Sequence, residues 1–238
     1  MSRVSTPQNL EVLFEDNHLI AVNKRVGDIT QGDKTGDKPL SDIVAAYLKK
    51  KYNKPGDAFV GVIHRLDRPT TGVLLFAKTS KGLTRMNAQF QEKKAQKIYH
   101  ATVFGFPEEP AARLEQYLVK DGSKNKSRVC SENTPGAKKA ILNYSVIRKG
   151  DKYSLVEIKL ETGRHHQIRV QLAKMGYPIK GDLKYGAKRS NKDGGISLHA
   201  RSLEFVHPVK DETITVVAPY PDEKLWSLLD ACPPFTGK

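Results

Sequence analysis

Apolar positions along this chain fall into short blocks with two different periods. Residues 11–14 and 19–22 flank the turn-forming Glu15-Asp16-Asn17, which predicts two short strands. A polar, glycine-bearing loop over residues 27–38 leads into a predicted helix at 41–52. Ile43, Val44, Tyr47 and Leu48 share one face of it, Ser41 is the expected N-cap, and lysines sit at its end, where the helix dipole favours cations. Residues 59–63 and 73–77 are apolar runs of the buried-strand kind, and a second helix over 80–94 carries Leu83, Met86 and Phe90 on one face. Residues 97–105 alternate as a strand. Lys, Ser, Asn and Gly dominate residues 120–139, which reads as a mobile hairpin or surface loop. Strands return at 140–147 and 153–160, followed by a helix over 165–175 closed by Gly176. Further strand segments appear at Leu198, 203–206 and 213–217, then a last helix at 222–230. Many short strands with a few helices, without regular β-then-α alternation, predict an α+β fold. Its central sheet is expected to be mostly antiparallel and flanked by helices.

Length and charge narrow the picture. The chain has 238 residues, and Lys+Arg 40 against Asp+Glu 26 leave a formal charge of +14. One domain over residues 10–238 after a short tail at 1–9 is the expectation. The excess charge reads either as a basic surface that aids solubility or as a complement to a polyanion, most often nucleic acid. No apolar run approaches the roughly 18 residues of a membrane helix, and the N-terminus lacks a secretory layout, so a soluble cytoplasmic protein is expected. Cys130 and Cys232 are too few for a disulfide scaffold or a four-cysteine zinc site. His165 and His166 are adjacent, about 100° apart on a helix, and no His-Glu-x-x-His spacing occurs, so no metal is expected. Residues 27–36 match neither the P-loop nor the dinucleotide pattern, so no glycine-rich phosphate loop is expected.

The chemically demanding segment lies between the two buried-strand runs: His64-Arg65-Leu66-Asp67-Arg68-Pro69-Thr70-Thr71-Gly72. Taken alone, Asp67 reads as a turn aspartate paired with a neighbouring arginine. Flanking guanidiniums also suit an ionised nucleophile and ill suit a general acid. Two further stretches add weight: Lys97-Ile98-Tyr99-His100-Ala101-Thr102-Val103-Phe104-Gly105 and Thr162-Gly163-Arg164-His165-His166-Gln167-Ile168-Arg169-Val170. The last continues through Gly176-Tyr177-Pro178-Ile179 and Gly181-Asp182-Leu183-Lys184-Tyr185-Gly186. In order and spacing the set resembles the RluA-type pseudouridine synthases over roughly residues 10–220. The chain differs at Pro69 and Thr70-Thr71-Gly72, where that family often has an acidic residue and Thr-Ser-Gly. It differs again at His165, where a small hydroxyl residue is common, and at Gln171, where histidine is common.

The resemblance implies isomerisation of uridine in ribosomal or transfer RNA, without a cofactor. It makes Asp67 the catalytic nucleophile, Tyr99 the residue lying against the target uracil, and Arg169 the charge partner of the carboxylate. The target base must leave its stack to be reached, so the RNA has to be gripped elsewhere. Arg65, Arg68, His64, Lys97, Arg164, His166 and Lys138 are the expected RNA-binding groups, with residues 120–139 as the candidate reader of the target. The family's frequent N-terminal S4-like domain is not expected, and the enzyme is expected to act as a monomer. Two rivals stay open: an RNA-binding protein on a decayed scaffold, and an N-glycosylase that hydrolyses the same bond and releases free uracil.

Overall fold

The computed structural model describes residues 4–32 and 35–236, so Asp33 and Lys34 of the glycine-bearing loop and the first three residues of the expected tail lie outside the described residues. Along the chain run β1 (Val12–Glu15), β2 (Leu19–Lys24), α1 (Leu40–Lys51), β3 (Gly61–Val62), β4 (Thr71–Ala77), α2 (Ser80–Gln91) and β5 (Gln96–Phe104). There follow β6 (Ala111–Asp121), β7 (Lys126–Cys130), β8 (Lys138–Lys149), β9 (Tyr153–Leu160), α3 (Gln167–Lys174), β10 (Leu198–Val206), β11 (Thr213–Val217) and α4 (Lys224–Ala231). The fold is α+β. The expected single domain divides into two compact units: one reaches Lys97 and takes in Ala200–Pro219, the other holds Ile98–His199 and the chain from Tyr220 onward.

In the first unit β4 is the central strand. All seven of its residues are buried, as its unbroken apolar run requires. β2 lies antiparallel along one edge, from Leu19 opposite Ala77 to Lys24 opposite Gly72. β3 and β10 share the other edge, and β11 extends β10 antiparallel. Val73, Leu75 and Ala77 point to one face, where Leu19, Ala21, Met86, Leu203 and Phe205 join them in the core. Gly72 is required by its backbone: its φ is +110°, and an added Cβ would lie 2.3 Å from the Ala200 carbonyl oxygen. The second unit is an antiparallel array in the order β5-β9-β8-β6-β7. Leu118, Ala140, Val170 and Tyr185 form one core cluster there, and Leu155, Trp226 and Leu229 another.

Several expectations need correction. Ser41 does not cap α1; Pro39 holds that position, and the first amides of the helix donate to the carbonyls of Ile29 (2.7 Å) and Thr30 (3.4 Å). Main-chain acceptors from the preceding loop do there what a side-chain cap does elsewhere. The strand expected at 59–63 contracts to Gly61–Val62 because His64 ends the pairing, as described below. Residues 120–139 hold the tip of the β6–β7 hairpin and the turns on to β8, while the long strand β6 was not anticipated at all. Of the expected tail, Ser5 is fastened to Asp28 through its amide (2.8 Å) and its hydroxyl (2.7 Å).

One buried acid braces the first unit. Glu15, its side chain only 7% exposed, accepts from Lys51 Nζ (2.7 Å), Lys78 Nζ (2.8 Å) and the Tyr52 hydroxyl (2.6 Å). Burial alone would raise its pKa, but these donors outweigh burial and hold it at about 2. The folded value lies below the unfolded one, so this stabilisation is complete above pH about 4.5 and is lost as pH falls towards 2. Glu15→Gln is therefore expected to cost about 2 kcal/mol at pH 7, measured by urea unfolding, and clearly less at pH 3. An equal cost at both pH values would contradict this account.

Candidate active site

In the first unit the segment from His64 to Gly72 is held by contacts on every side. His64 Nε2 accepts the Leu75 amide at 3.1 Å, so the imidazole takes a β4 donor just past the point where β3 leaves the strand. Its ring stacks on Phe90 at 5.1 Å, and Lys97 Nζ lies 5.6 Å from the centre of that same ring. Burial, with the Lys97 charge added, lowers the His64 pKa to about 3, which keeps the ring neutral and able to accept. Burial also lowers the pKa of Lys97. Next along the chain, the Thr30 hydroxyl lies 3.3 Å from both the amide and the carbonyl oxygen of Leu66.

Asp67 itself opens a tight turn in which Thr70 N donates to the Asp67 carbonyl at 3.0 Å, with Pro69 inside the turn. The Arg68 carbonyl accepts from Gly27 N (3.1 Å) and from Lys24 Nζ (3.0 Å). The Asp67 side chain is partly exposed between these pinned neighbours. Arg65 is exposed, and Arg68 reaches away to Asp37, Nη2 to Oδ2 at 2.7 Å. The expected local pairing of the flanking arginines thus finds, for Arg68, a different acid.

In the second unit Tyr99 stands on β5 opposite Ile158 and is 8% exposed. Arg169 is buried on α3, and its guanidinium meets Asp182 side-on: Nε to Oδ2 at 2.7 Å and Nη2 to Oδ1 at 2.8 Å. Asp182 is itself buried. The Arg169 guanidinium also lies 5.1 Å from the centre of the Tyr185 ring. A two-point fork between rigid groups fixes the arginine's plane as well as its position.

Around this pair a polar network fills the space behind α3. The Tyr185 hydroxyl accepts from Ser127 N (2.8 Å) and contacts His166 Nδ1 (2.9 Å). The Ser127 hydroxyl donates to the His165 carbonyl (2.8 Å), and its oxygen lies 2.9 Å from His165 Nδ1. His165 and His166 are not on a helix, as the sequence reading had them: His166 adopts a left-handed backbone (φ 54°) just before α3, and the two rings stack at 3.8 Å. Burial, followed by the charges of Arg169 and His165, lowers the His166 pKa to about 2. Arg164 is exposed and donates through Nε to the Lys139 carbonyl at 2.8 Å, which sets it beside the exposed Lys138.

Asp182, Tyr185, Ser127 and Lys24 were missed as functional candidates. The first two stand in the quoted stretch from Gly181 to Gly186, where an acid and a phenol between glycines are a readable signal. Ser127 and Lys24 have none, because a serine and a lysine read as surface residues until the fold buries them. Among the described residues no three His, Cys, Asp or Glu side chains are grouped to hold a metal ion, and no helix is long and apolar enough to cross a membrane.

Comparison with known proteins places this geometry. Residues 18–174 match the family model described as RNA pseudouridylate synthase. The chain is 34% identical over 218 residues to the uncharacterized RNA pseudouridine synthase YhcT of Bacillus subtilis, covering 89% of this chain and 69% of that one. It is 35% identical over 216 residues to ribosomal large subunit pseudouridine synthase C of Buchnera aphidicola subsp. Schizaphis graminum, covering 87% and 66%. To tRNA pseudouridine synthase C of Vibrio parahaemolyticus it is 32% identical over 234 residues, covering 91% and 92%. The chain thus spans about two thirds of the length of the first two and nearly all of the third. Among solved structures, Human RNA Pseudouridylate Synthase Domain Containing 1 is similar with a TM-score of 0.72 at 25% identity, over 100% of this chain and 93% of that one. Human RNA Pseudouridylate Synthase Domain Containing 4 shares the fold, with a TM-score of 0.76 at 24% identity over 92% and 91%. With its motifs in order and its fold matched, this chain belongs to the RNA pseudouridine synthase family, whose members are isomerases.

Proposed function

We propose that this protein converts specific uridines of ribosomal or transfer RNA to pseudouridine, with Asp67 as nucleophile, Tyr99 against the target uracil and Arg169 as the charge partner of the acid. In that reaction the bond from N1 of uracil to C1′ of the ribose breaks, and the base turns. A bond from C5 to C1′ then forms, while C5 gives up a proton and N1 gains one, so nothing is oxidised and no group is brought in. A single carboxylate suffices because the base stays enclosed throughout. The observation that carries the reading is the Asp67 turn: a partly exposed aspartate whose neighbouring backbone is fixed by Thr30, Gly27 and Lys24. A surface-turn aspartate needs no such support.

The basic groups divide by their surroundings. Exposed Arg65, Arg68, Lys138 and Arg164 suit phosphate contacts, as do Lys124 and Arg128 of the β6–β7 hairpin, our candidate for the element that reads the target. His64, His166 and Lys97 are better read as supports, since their rings and ammonium are engaged inside the protein. We further propose that the enzyme works in the cytoplasm, as a monomer and without a cofactor.

The test is incubation with unmodified ribosomal and transfer RNA transcripts, followed by carbodiimide-dependent reverse-transcription mapping. Discrete new stops at uridines, with no free uracil in the supernatant, are expected. Free uracil would instead indicate a glycosylase, and bound but unmodified RNA would indicate a decayed scaffold.

A further inference from the structure

By composition the tip of the β6–β7 hairpin reads as a free surface loop, yet it is tied both from within and from outside. Within the tip, Asp121 Oδ1 accepts from the Ser123 amide (3.0 Å), the Ser123 hydroxyl (2.6 Å) and the Lys124 amide (3.2 Å). Asn125 takes a left-handed backbone (φ 45°) and returns the chain to Lys126, which pairs with Asp121. From outside, one ring spans two points of the hairpin: His165 Nε2 lies 3.1 Å from Asn125 Oδ1, and His165 Nδ1 lies 2.9 Å from Ser127 Oγ. Lys184 Nζ adds a bond to the Asn125 carbonyl at 3.1 Å, and Lys126 Nζ lies 5.0 Å from the centre of the Tyr185 ring.

His165 is placed for this task. It precedes α3, so its ring belongs to no helix face, and stacking on His166 at 3.8 Å fixes the plane in which its two nitrogens point. His166 is held in turn by the Tyr185 hydroxyl at 2.9 Å. An imidazole carries a nitrogen on each side and reaches both hairpin residues at once. The small hydroxyl residue common at this position in the family has one polar side-chain atom and reaches at most one of them. The hairpin displays Lys120, Lys124 and Arg128 to solvent. Were its tip loose, ordering it would cost conformational entropy at the moment RNA binds, and affinity would fall by that amount.

We propose that His165 is a positioning residue for RNA recognition: its ring latches the tip of the β6–β7 hairpin in one place, so that Lys124 and Arg128 meet phosphates without a prior ordering step. The inference rests on the role given to the hairpin in the function proposed above. Its effect falls on RNA binding and not on the bond-making steps. Asn125 is the other half of the latch, so losing either partner releases the tip, and losing both adds little.

The experiment measures single-turnover tritium release from unmodified ribosomal and transfer RNA transcripts carrying 5-tritiated uridine, over a range of enzyme concentrations, beside filter binding of the same RNA. Wild type is compared with His165→Ala, Asn125→Gly and the double variant, each checked by circular dichroism and thermal melting. His165→Ala is expected to weaken RNA binding about tenfold while the rate at saturating enzyme stays within about threefold. Asn125→Gly, which keeps a residue at ease with a positive φ, is expected to weaken binding about fivefold. The double variant is expected to bind within about twofold of His165→Ala. In the free protein, hydrogen exchange of the 122–126 amides is expected to be at least about tenfold faster in His165→Ala. An RNA affinity within twofold of wild type in folded His165→Ala overturns the proposal, as does unchanged exchange at the tip or a double variant whose loss is the product of the two single losses. Should His165→Ala fail to fold, the exposed Asn125→Gly decides by the same two readouts. Lys124→Ala combined with Arg128→Ala separates the layers: affinity untouched by that pair defeats the hairpin as an RNA contact, whereas a loss there beside an unaffected His165→Ala defeats only the latch. A wild type that binds RNA and releases no tritium defeats the enzymatic reading itself.

Discussion

Replacing Asp67 by Asn is expected to reduce turnover on RNA at least about 10³-fold while RNA affinity stays within about threefold. The substitution isolates the chemistry. Asparagine has the same shape and is as well suited to a turn as aspartate, so the hydrogen bond from Thr70 N to the residue-67 carbonyl (3.0 Å) is retained. Arg68, which would suffer if its partner were Asp67, is bound to Asp37 instead and is left in place. What disappears is the negative oxygen, and with it any capacity to attack sugar or base or to remove a ribose proton. RNA affinity is expected to persist because it derives mainly from lysines and arginines neutralising phosphates. Rates measured by tritium release, set beside filter-binding affinities, check both halves of the expectation. If the variant turned over like the wild type, Asp67 would be a turn residue and nothing more.

This prediction was reachable from sequence only through the three separated stretches taken together, because Asp67 alone reads as a turn aspartate. Gly72 announces a strained path, and the structure shows why: a side chain there would strike the Ala200 carbonyl. β4 and α2 were equally legible, since an unbroken apolar run and a 3.6-residue stripe each have one stable reading. β6 was not. Its sequence, Ala111 to Asp121, alternates charged with modestly apolar residues and buries only Leu118 fully, so its strand state is set by ladders to β7 and β8 and not by its own composition. The start of α1 was misplaced for a related reason, because the acceptors for its first amides lie ten or more residues away at Ile29 and Thr30. Lys24 and His64 show the same limit at the candidate site. Each carries a side chain normally given to solvent, and only tertiary packing turns one into a backbone clamp and the other into an acceptor for β4.

The Arg169–Asp182 pair holds the residue proposed as charge partner of Asp67, and Asp182→Ala is expected to cost about 3–5 kcal/mol of folding free energy. Both groups are buried, and the two bonds at 2.7 and 2.8 Å leave the acid as the guanidinium's anchor. Removing it takes the two-point anchor away from a buried cation that lies beside the Tyr185 ring. The size of the loss reports a buried guanidinium deprived of this anchor and not the worth of the ion pair, which a second variant makes visible. Arg169→Met combined with Asp182→Val removes both charges, and it is expected to regain at least half of the lost stability because no buried ion remains uncompensated. Turnover is expected to behave differently. The double variant should remain as inactive as Asp182→Ala or worse, since recovering the fold does not restore the guanidinium to the reaction. Urea unfolding of the single and double variants, with tritium release measured on each, tests the two claims separately. A loss below about 1 kcal/mol for Asp182→Ala would contradict the burial of the pair, while a stable and active double variant would show that Arg169 serves the fold alone.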